Sequence, residues 1–485
     1  MDAATTTYGT RPSASGPAET ATPGPTAGTG WSARPPAAFV RPPRPREDTR
    51  PGRWVVRLVF WAGLVAVIAP WWLDTPSGSL AGTGAVLTAA GRITGLLSAY
   101  LLLVQVLLMS RSGWLERWVG ARSLVSWHRE LGGFLVVAIA AHIAFIVVGY
   151  AATDHSSVTK ETWTIVTGYE DMVTAVVAAA LLAGIALLSI RALRRALRYE
   201  LWYYLHVTSY LVLFLAYGHE FANGQEMVGG KLGRHLWIAL YVLVGAEVLW
   251  GRLLGPLLLN RRHRLRVVRV IDEAPDMVSV YMIGRDLSRL DVKAGQFFRW
   301  RFLARGYWWQ AHPFSLSAAP NGQWLRVTVK TVGDHTTALR RLRPGTRVYV
   351  EGPSGDFTAD RRTAAGALLI AGGSGIAPIR ALLEELPAGT VVIYRASTDQ
   401  DLLFRRELEQ LAEARGATLW YLVGSRDDPR TRHFLSPRGV RELVPDVTAR
   451  DVYLCGPSGL IEQSQRTLRR LNVPRRQIHL DPFEF

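Results

Sequence analysis

HRELGGFLVVAIAAH, residues 128–142, opens and closes on histidine within a mostly apolar run. LHVTSYLVLFLAYGH, residues 205–219, repeats the pattern with His206 and His219. Fourteen residues separate the first pair and thirteen the second. A helix rising about 1.5 Å per residue covers about 20 Å in each interval, most of the roughly 30 Å hydrocarbon thickness of a bilayer. Two such helices each present an upper and a lower imidazole. Histidine nitrogen is a normal axial ligand of haem, so His128, His142, His206 and His219 could clamp two stacked haems. The competing role is hydrogen bonding to headgroups or water at the membrane boundary, although polar groups within spans more often mark function. Fourteen residues miss four full turns by about 40°, and thirteen miss by about 140°. The second helix must therefore tilt, bulge or admit its haems from different sides.

Working outward, apolar stretches dominate from Trp54 to about Leu259. They predict a six-helix transmembrane bundle over 54–259, with spans near 54–73, 86–109, 128–149, 171–190, 201–219 and 235–258. The links 110–127 and 191–200 are strongly basic, whereas 150–170 carries Asp154, Glu161 and Glu170 against one lysine. The positive-inside bias then places both termini in the cytoplasm of a multi-pass protein of the cell membrane. That topology pairs His128 with His206 in the cytoplasmic half and His142 with His219 in the outer half. Arg92, near the outer end of the second span, could meet a haem propionate or snorkel to the interface. Residues 1–50, rich in Pro, Ala and Arg, lack the apolar content needed to fold and predict a disordered cytoplasmic tail. Their start lacks the pattern of a cleaved signal.

The net charge of +17 does not point to nucleic acid, because much of it flanks apolar segments, as at Arg111, Arg117, Arg122 and Arg129. The lipid bilayer is the partner this distribution suits. The single cysteine, Cys455, excludes intramolecular disulfides and cysteine-ligated iron–sulfur clusters.

Beyond residue 262 the rhythm changes. Short β-rich runs punctuated by Gly and Pro predict a small antiparallel barrel over 262–360. It carries His312-Pro313-Phe314-Ser315, in which a fixed backbone, an aromatic face and a hydroxyl suit a flavin. Lys330, Gly333 and Thr336 follow a strand where backbone N–H groups can hold pyrophosphate. Residues 361–485 read as an α/β open sheet. Gly372-Gly373-Ser374-Gly375-Ile376-Ala377-Pro378 follows its first strand, and Cys455-Gly456-Pro457 its last. Glycines there allow a dinucleotide pyrophosphate to approach the backbone, although the spacing is not the strict GxGxxG fingerprint. Arg395 and Arg426 follow strand ends and suit a 2′-phosphate, favouring NADPH with NADH possible. Cys455 could lie beside nicotinamide or be a small buried thiol. Phe485 could cover the flavin or pack in the core.

Together these segments, covering roughly residues 54–485, resemble the ferric reductase and NADPH oxidase superfamily. The resemblance implies two b-type haems on His128, His142, His206 and His219. It implies FAD at His312–Ser315, NADPH at Gly372–Pro378 and Cys455–Pro457, and Phe485 as a flavin-shielding aromatic. It further implies a membrane oxidoreductase that passes electrons from NADPH through FAD and haem to an extracytoplasmic acceptor, whether oxygen, a ferric chelate or a redox protein. The chemical logic agrees: nicotinamide yields two electrons together, each haem iron carries one, and a flavin joins the two regimes. Two other classes fit parts of the pattern. A quinone-linked membrane cytochrome b would need no flavin, and a transporter with a regulatory nucleotide-binding domain would leave the paired histidines without a role.

Overall fold

The computed structural model describes residues 51–197, 199–224, 231–425 and 427–482. The tail over residues 1–50, Arg426 and Phe485 lie outside the described residues. The chain divides near Gly255 into two compact units.

The first unit is helical. Its main elements are α1 (Pro51–Asp74), α2 (Thr83–Leu108), α3 (Ala121–Thr153), α4 (Met172–Ser189), α5 (Tyr199–Val207), α6 (Ser209–Asn223) and α7 (Lys231–Leu249). Five helices among the described residues, not the expected six, are long and apolar enough to cross a membrane. They are Gly52–Asp74, Thr83–Leu108, Ala121–Thr153, Met172–Ser189 and Leu232–His263, as expected of a multi-pass membrane protein. The predicted span 201–219 is instead broken at Thr208 into α5 and α6. The Thr208 hydroxyl donates to the Leu205 carbonyl at 2.6 Å, and its N–H reaches the same oxygen at 3.3 Å. That tightened turn is the local alternative to helix that Thr and Ser offer the backbone. It also removes the phase problem, because His206 and His219 stand on separate helices.

The α2–α3 pair packs through small residues. A Cβ on Gly84 would meet Thr153, one on Gly91 would meet Ile146, and one on Gly149 would meet Thr88. Small side chains let helix backbones approach where lipid supplies no hydrophobic drive between them.

The second unit is built of strands and short helices. In the flavin segment the strands are β1 (Arg266–Ala274), β2 (Met277–Ile283), β3 (Phe297–Phe302), β4 (His312–Ser315), β5 (Trp324–Lys330) and β6 (Val348–Ser354), with α8 (Asp334–Ala338) after β5. They form two three-stranded antiparallel sheets, β1-β2-β5 and β4-β3-β6. Isolated bridges Arg266↔Arg347 and Leu316↔Val327 tie the sheets edge to edge. Between them lies a core including Val280, Met282, Phe298, Trp300, Phe302 and Val327. The segment His312–Ser315 is itself a strand, which the Pro at its second position hides from a β-propensity count.

The nucleotide segment is a five-stranded parallel sheet in the order β11-β10-β7-β8-β9. Its strands are β7 (Gly366–Gly372), β8 (Val391–Ala396), β9 (Thr418–Val423), β10 (Arg450–Gly456) and β11 (Ile478–Pro482). Helices α9 (Ile376–Leu383), α10 (Arg405–Arg415) and α11 (Ser458–Arg470) accompany them. The chain leaves β7 toward β8 on one side while β10 pairs on the other. The turns after β7 and β10 therefore meet at the switch point where open α/β sheets bind ligands.

Candidate functional site

Within the helical unit, the four histidines come together as two pairs. The rings of His128 and His206 have centroids 5.9 Å apart at 75°. His219 lies within electrostatic reach of His142. Each ring uses Nδ1 locally. His142 Nδ1 stands 2.7 Å from the Gly91 carbonyl, His219 Nδ1 2.8 Å from Ala216 O, and His128 Nδ1 3.3 Å from Gln105 O. His206 Nδ1 stands 3.3 Å from the Ser189 hydroxyl, which itself donates to Ile185 O and so has a lone pair to offer. A neutral imidazole donating through Nδ1 keeps Nε2 as its lone-pair nitrogen. Gly95 shapes the same place: a Cβ there would come within 2.9 Å of the His142 ring. Arg92 follows Gly91 directly, at the level of the His142 pair.

Three groups near the other pair escape the sequence. Trp202 stacks on His206 at 5.0 Å, and Arg194 lies over that indole at 4.6 Å. Arg252 caps the end of α2 through two donors to Met109 O, at 2.6 and 3.1 Å. Arg252 sits in a π-helical turn, Trp250–Leu254, and a Cβ on Gly251 would fall 2.2 Å from Ser110 O. Such turns are frequent at functional sites, and only their spacing in three dimensions makes them visible.

In the second unit, β4 is held by the indole of buried Trp300, whose Nε1 donates to Phe314 O at 2.8 Å. Pro313 faces Arg299 in the ladder. His312 stacks on Phe314 at 6.1 Å and lies 4.1 Å from His335, which burial and His312 push down to about 4. The Thr336 hydroxyl accepts from the N–H groups of Val332 and Gly333 at 3.0 and 3.1 Å, fixing that loop. Lys330, at the end of β5, pairs with Asp276 at 3.1 Å.

The nucleotide turns sit back to back. A Cβ on Gly456 would lie 3.0 Å from the Gly372 backbone, and one on Gly375 2.3 Å from Cys455 O. Gly373 adopts φ +54, a left-handed conformation that favours glycine. Pro378 is buried in the first turn of α9, and Pro457 caps α11. Arg395 lies on β8 in register with Gly372. The two segments meet at Asp481 on β11. Ser315 Oγ donates to its carboxylate at 3.3 Å, and Cys455 Sγ donates to its carbonyl at 3.2 Å.

Cys455 is 1% exposed, and burial pushes its thiol pKa up. The nucleophile is the thiolate. Native protein at pH 8 should therefore resist iodoacetamide while urea-unfolded protein takes up one equivalent. Rapid labelling of the native form would show that the thiol is not enclosed.

Three family matches cover these regions. Residues 94–217 match the ferric reductase like transmembrane component, 262–357 an FAD-binding domain, and 369–466 the oxidoreductase NAD-binding domain. The chain thus carries a ferric-reductase-like transmembrane domain fused to FAD- and NAD-binding domains, matching the fusion expected from its resemblance to the ferric reductase and NADPH oxidase superfamily. The C-terminal module is an FAD/NAD(P)H-binding oxidoreductase module resembling ferredoxin and flavohemoprotein reductases. It is similar to ferredoxin–NADP reductase B of Sorangium cellulosum, at 29% identity over 35% of this chain and 77% of the relative. It is also similar to an NADPH oxidoreductase of Mycobacterium tuberculosis, at 27% identity over 48% of this chain and 62% of that protein. Among solved structures, the flavohem-like FAD/NAD binding domain of nitric oxide dioxygenase from Vibrio cholerae matches at 24% identity. That match covers 46% of this chain and 99% of the other, with a TM-score of 0.39.

Proposed function

We propose that this chain is a transmembrane NADPH-dependent oxidoreductase, drawing electrons from cytoplasmic NADPH and delivering them to an extracytoplasmic acceptor such as oxygen, a ferric chelate or a redox protein. FAD and two b-type haems are its cofactors. When bound, they supply hydride acceptance and single-electron carriage, and the protein supplies position and electrostatics. The observation that carries the reading is the set of four histidines, each with Nδ1 engaged by the chain itself. An outer-shell partner on one ring nitrogen orients an imidazole for a metal on the other. The 5.9 Å between the His128 and His206 rings is close to what two imidazoles need to share one metal atom at about 2 Å per bond. Gly95 leaves room for the His142 ring beside α2, and the Gly91 carbonyl faces its Nδ1. Arg92 is suited to a carboxylate of the outer haem.

In the second unit, Ser315, the backbone of β4 and the Gly333 turn would hold flavin. The Gly372, Gly373, Gly375 and Gly456 backbones would face the dinucleotide, with Arg395 and Arg426 for a 2′-phosphate and Phe485 as the flavin cover. Basic links at 110–127 and 191–200 orient the bundle with both termini inside.

The test is an anaerobic visible spectrum of purified, FAD-supplemented protein before and after NADPH, calibrated by total haem. Reduction of two b-type haems per chain supports the route. Haems reduced by dithionite but not by NADPH would remove the donor assignment, and protein free of haem would remove the whole reading. Pro313→Ala should weaken FAD binding several-fold by loosening β4, read by flavin fluorescence. Unchanged occupancy would reject the role given to Pro313.

A further inference from the structure

Arg326, on β5, is 1% exposed, and all five of its N–H donors are used. Nε donates to Ser317 Oγ at 3.0 Å. Nη1 donates to Tyr281 OH at 3.2 Å and to Glu407 Oε1 at 2.9 Å. Nη2 donates to Ser317 O at 2.7 Å and to Glu407 Oε2 at 3.1 Å. Glu407 stands on α10, in the nucleotide segment, and binds this guanidinium through both oxygens. It also accepts from Arg380 Nε on α9 at 2.9 Å. Arg380 reaches the Ser317 carbonyl at 3.4 Å and pairs with Glu384, whose carboxylate accepts from Ala319 N at 2.9 Å.

The members of this cluster are the continuations of the ligand-bearing segments. Ser317 lies two residues after Ser315. Arg326 lies on the strand that leads into the Gly333 turn. Arg380 lies one turn into the helix that begins at Gly375. A single carboxylate therefore ties the flavin strand, the flavin loop and the nucleotide turn to one point. Burial opposes charge on Glu407, but Arg326 and Arg380 hold its carboxyl down at about 2. It is an anion throughout the neutral range.

We infer that Glu407, with Arg326 and Arg380, is a positioning device that sets the distance and angle between the flavin strand and the nicotinamide turn. It acts on the proposed hydride transfer without touching either cofactor, and it rests on that reading of the two segments. Misplacing reacting groups by about 1 Å can cost on the order of 100-fold in rate.

The experiment is anaerobic stopped-flow reduction of flavin in the full-length, FAD-loaded protein, with NADPH varied to saturation. Glu407→Gln should lower the limiting reduction rate by about tenfold or more, while the apparent Kd for NADPH and FAD content change less than about threefold. Glu407→Asp, which keeps the charge, should recover part of the rate. Should Glu407→Gln fail to fold, the pair Arg326→Met and Glu407→Leu replaces the buried charges together, an exchange that buried ion pairs often tolerate. It should show the same loss of rate.

Thermal unfolding adds a readout independent of redox chemistry. Wild type should melt the second unit in one transition, and the variants in two. A folded, FAD-loaded variant with wild-type limiting rate and a single transition overturns the inference. Wild-type flavin that NADPH cannot reduce overturns the donor assignment instead, and the melting profiles then decide on the cluster alone.

Discussion

His142→Leu should leave one haem per chain where the wild type carries two. Leucine has no nitrogen to offer an iron, yet its volume approaches that of imidazole, so the α2–α3 contact at Gly91 and Gly95 survives. The inner pair, His128 with His206, lies about 20 Å along the helix and shares no partner with position 142. Loss should therefore be confined to one site and close to complete. A pyridine haemochrome assay against protein concentration reads it directly. Flavin reduction by NADPH should persist in the same preparation, while delivery to an extracytoplasmic acceptor collapses. A purified variant with two haems per chain would remove His142 from the ligand set. Loss of both haems would mean that the bundle, not one ligand, had failed.

Gly375→Ala should abolish dinucleotide binding and destabilise the second unit. The added Cβ would sit 2.3 Å from Cys455 O, 2.5 Å from its carbonyl carbon and 2.7 Å from Gly456 N. All three are backbone atoms of a central strand and the turn after it, so no flexible side chain can move aside. Overpacking of this kind costs about 3 kcal/mol at the upper end of its usual range. For a unit of this size that corresponds to a melting temperature lower by about 6 °C or more. The backbone of Gly375 is ordinary in φ, so the cost is one of space rather than conformation. Titration of NADPH and a melting curve on the same sample test both halves. Wild-type affinity with wild-type melting would mean that the β7 and β10 turns are farther apart than described.

Hydropathy and charge sufficed to place apolar helices first, and strand rhythm and glycine turns to place β-sheet domains after them. Periodicity is a local property, legible along one chain. The histidine pairs were legible for the same reason, as a rise of about 20 Å is counted in residues. Their thirteen-residue interval was not, because a phase count assumes an unbroken helix. Thr208 breaks it through a hydroxyl–carbonyl bond that sequence spacing does not reveal. The same break accounts for five long apolar helices where six were expected.

The glycines of the β7 and β10 turns could be named from the sequence, but the contacts that require them could not. Gly375 is required by Cys455, 80 positions away, just as Gly95 on α2 is required by the imidazole of His142. Glu407 is the extreme case. Nothing around it in the chain distinguishes it from the other charges of an exposed helix face. It matters because folding brings Arg326 and Arg380, both buried, to its two oxygens. Local patterns therefore declare which segments are long apolar helices and which are strands and glycine turns. The relative placement of those segments is decided by contacts between residues far apart in the chain, whose energies exist only once the backbone has closed around them.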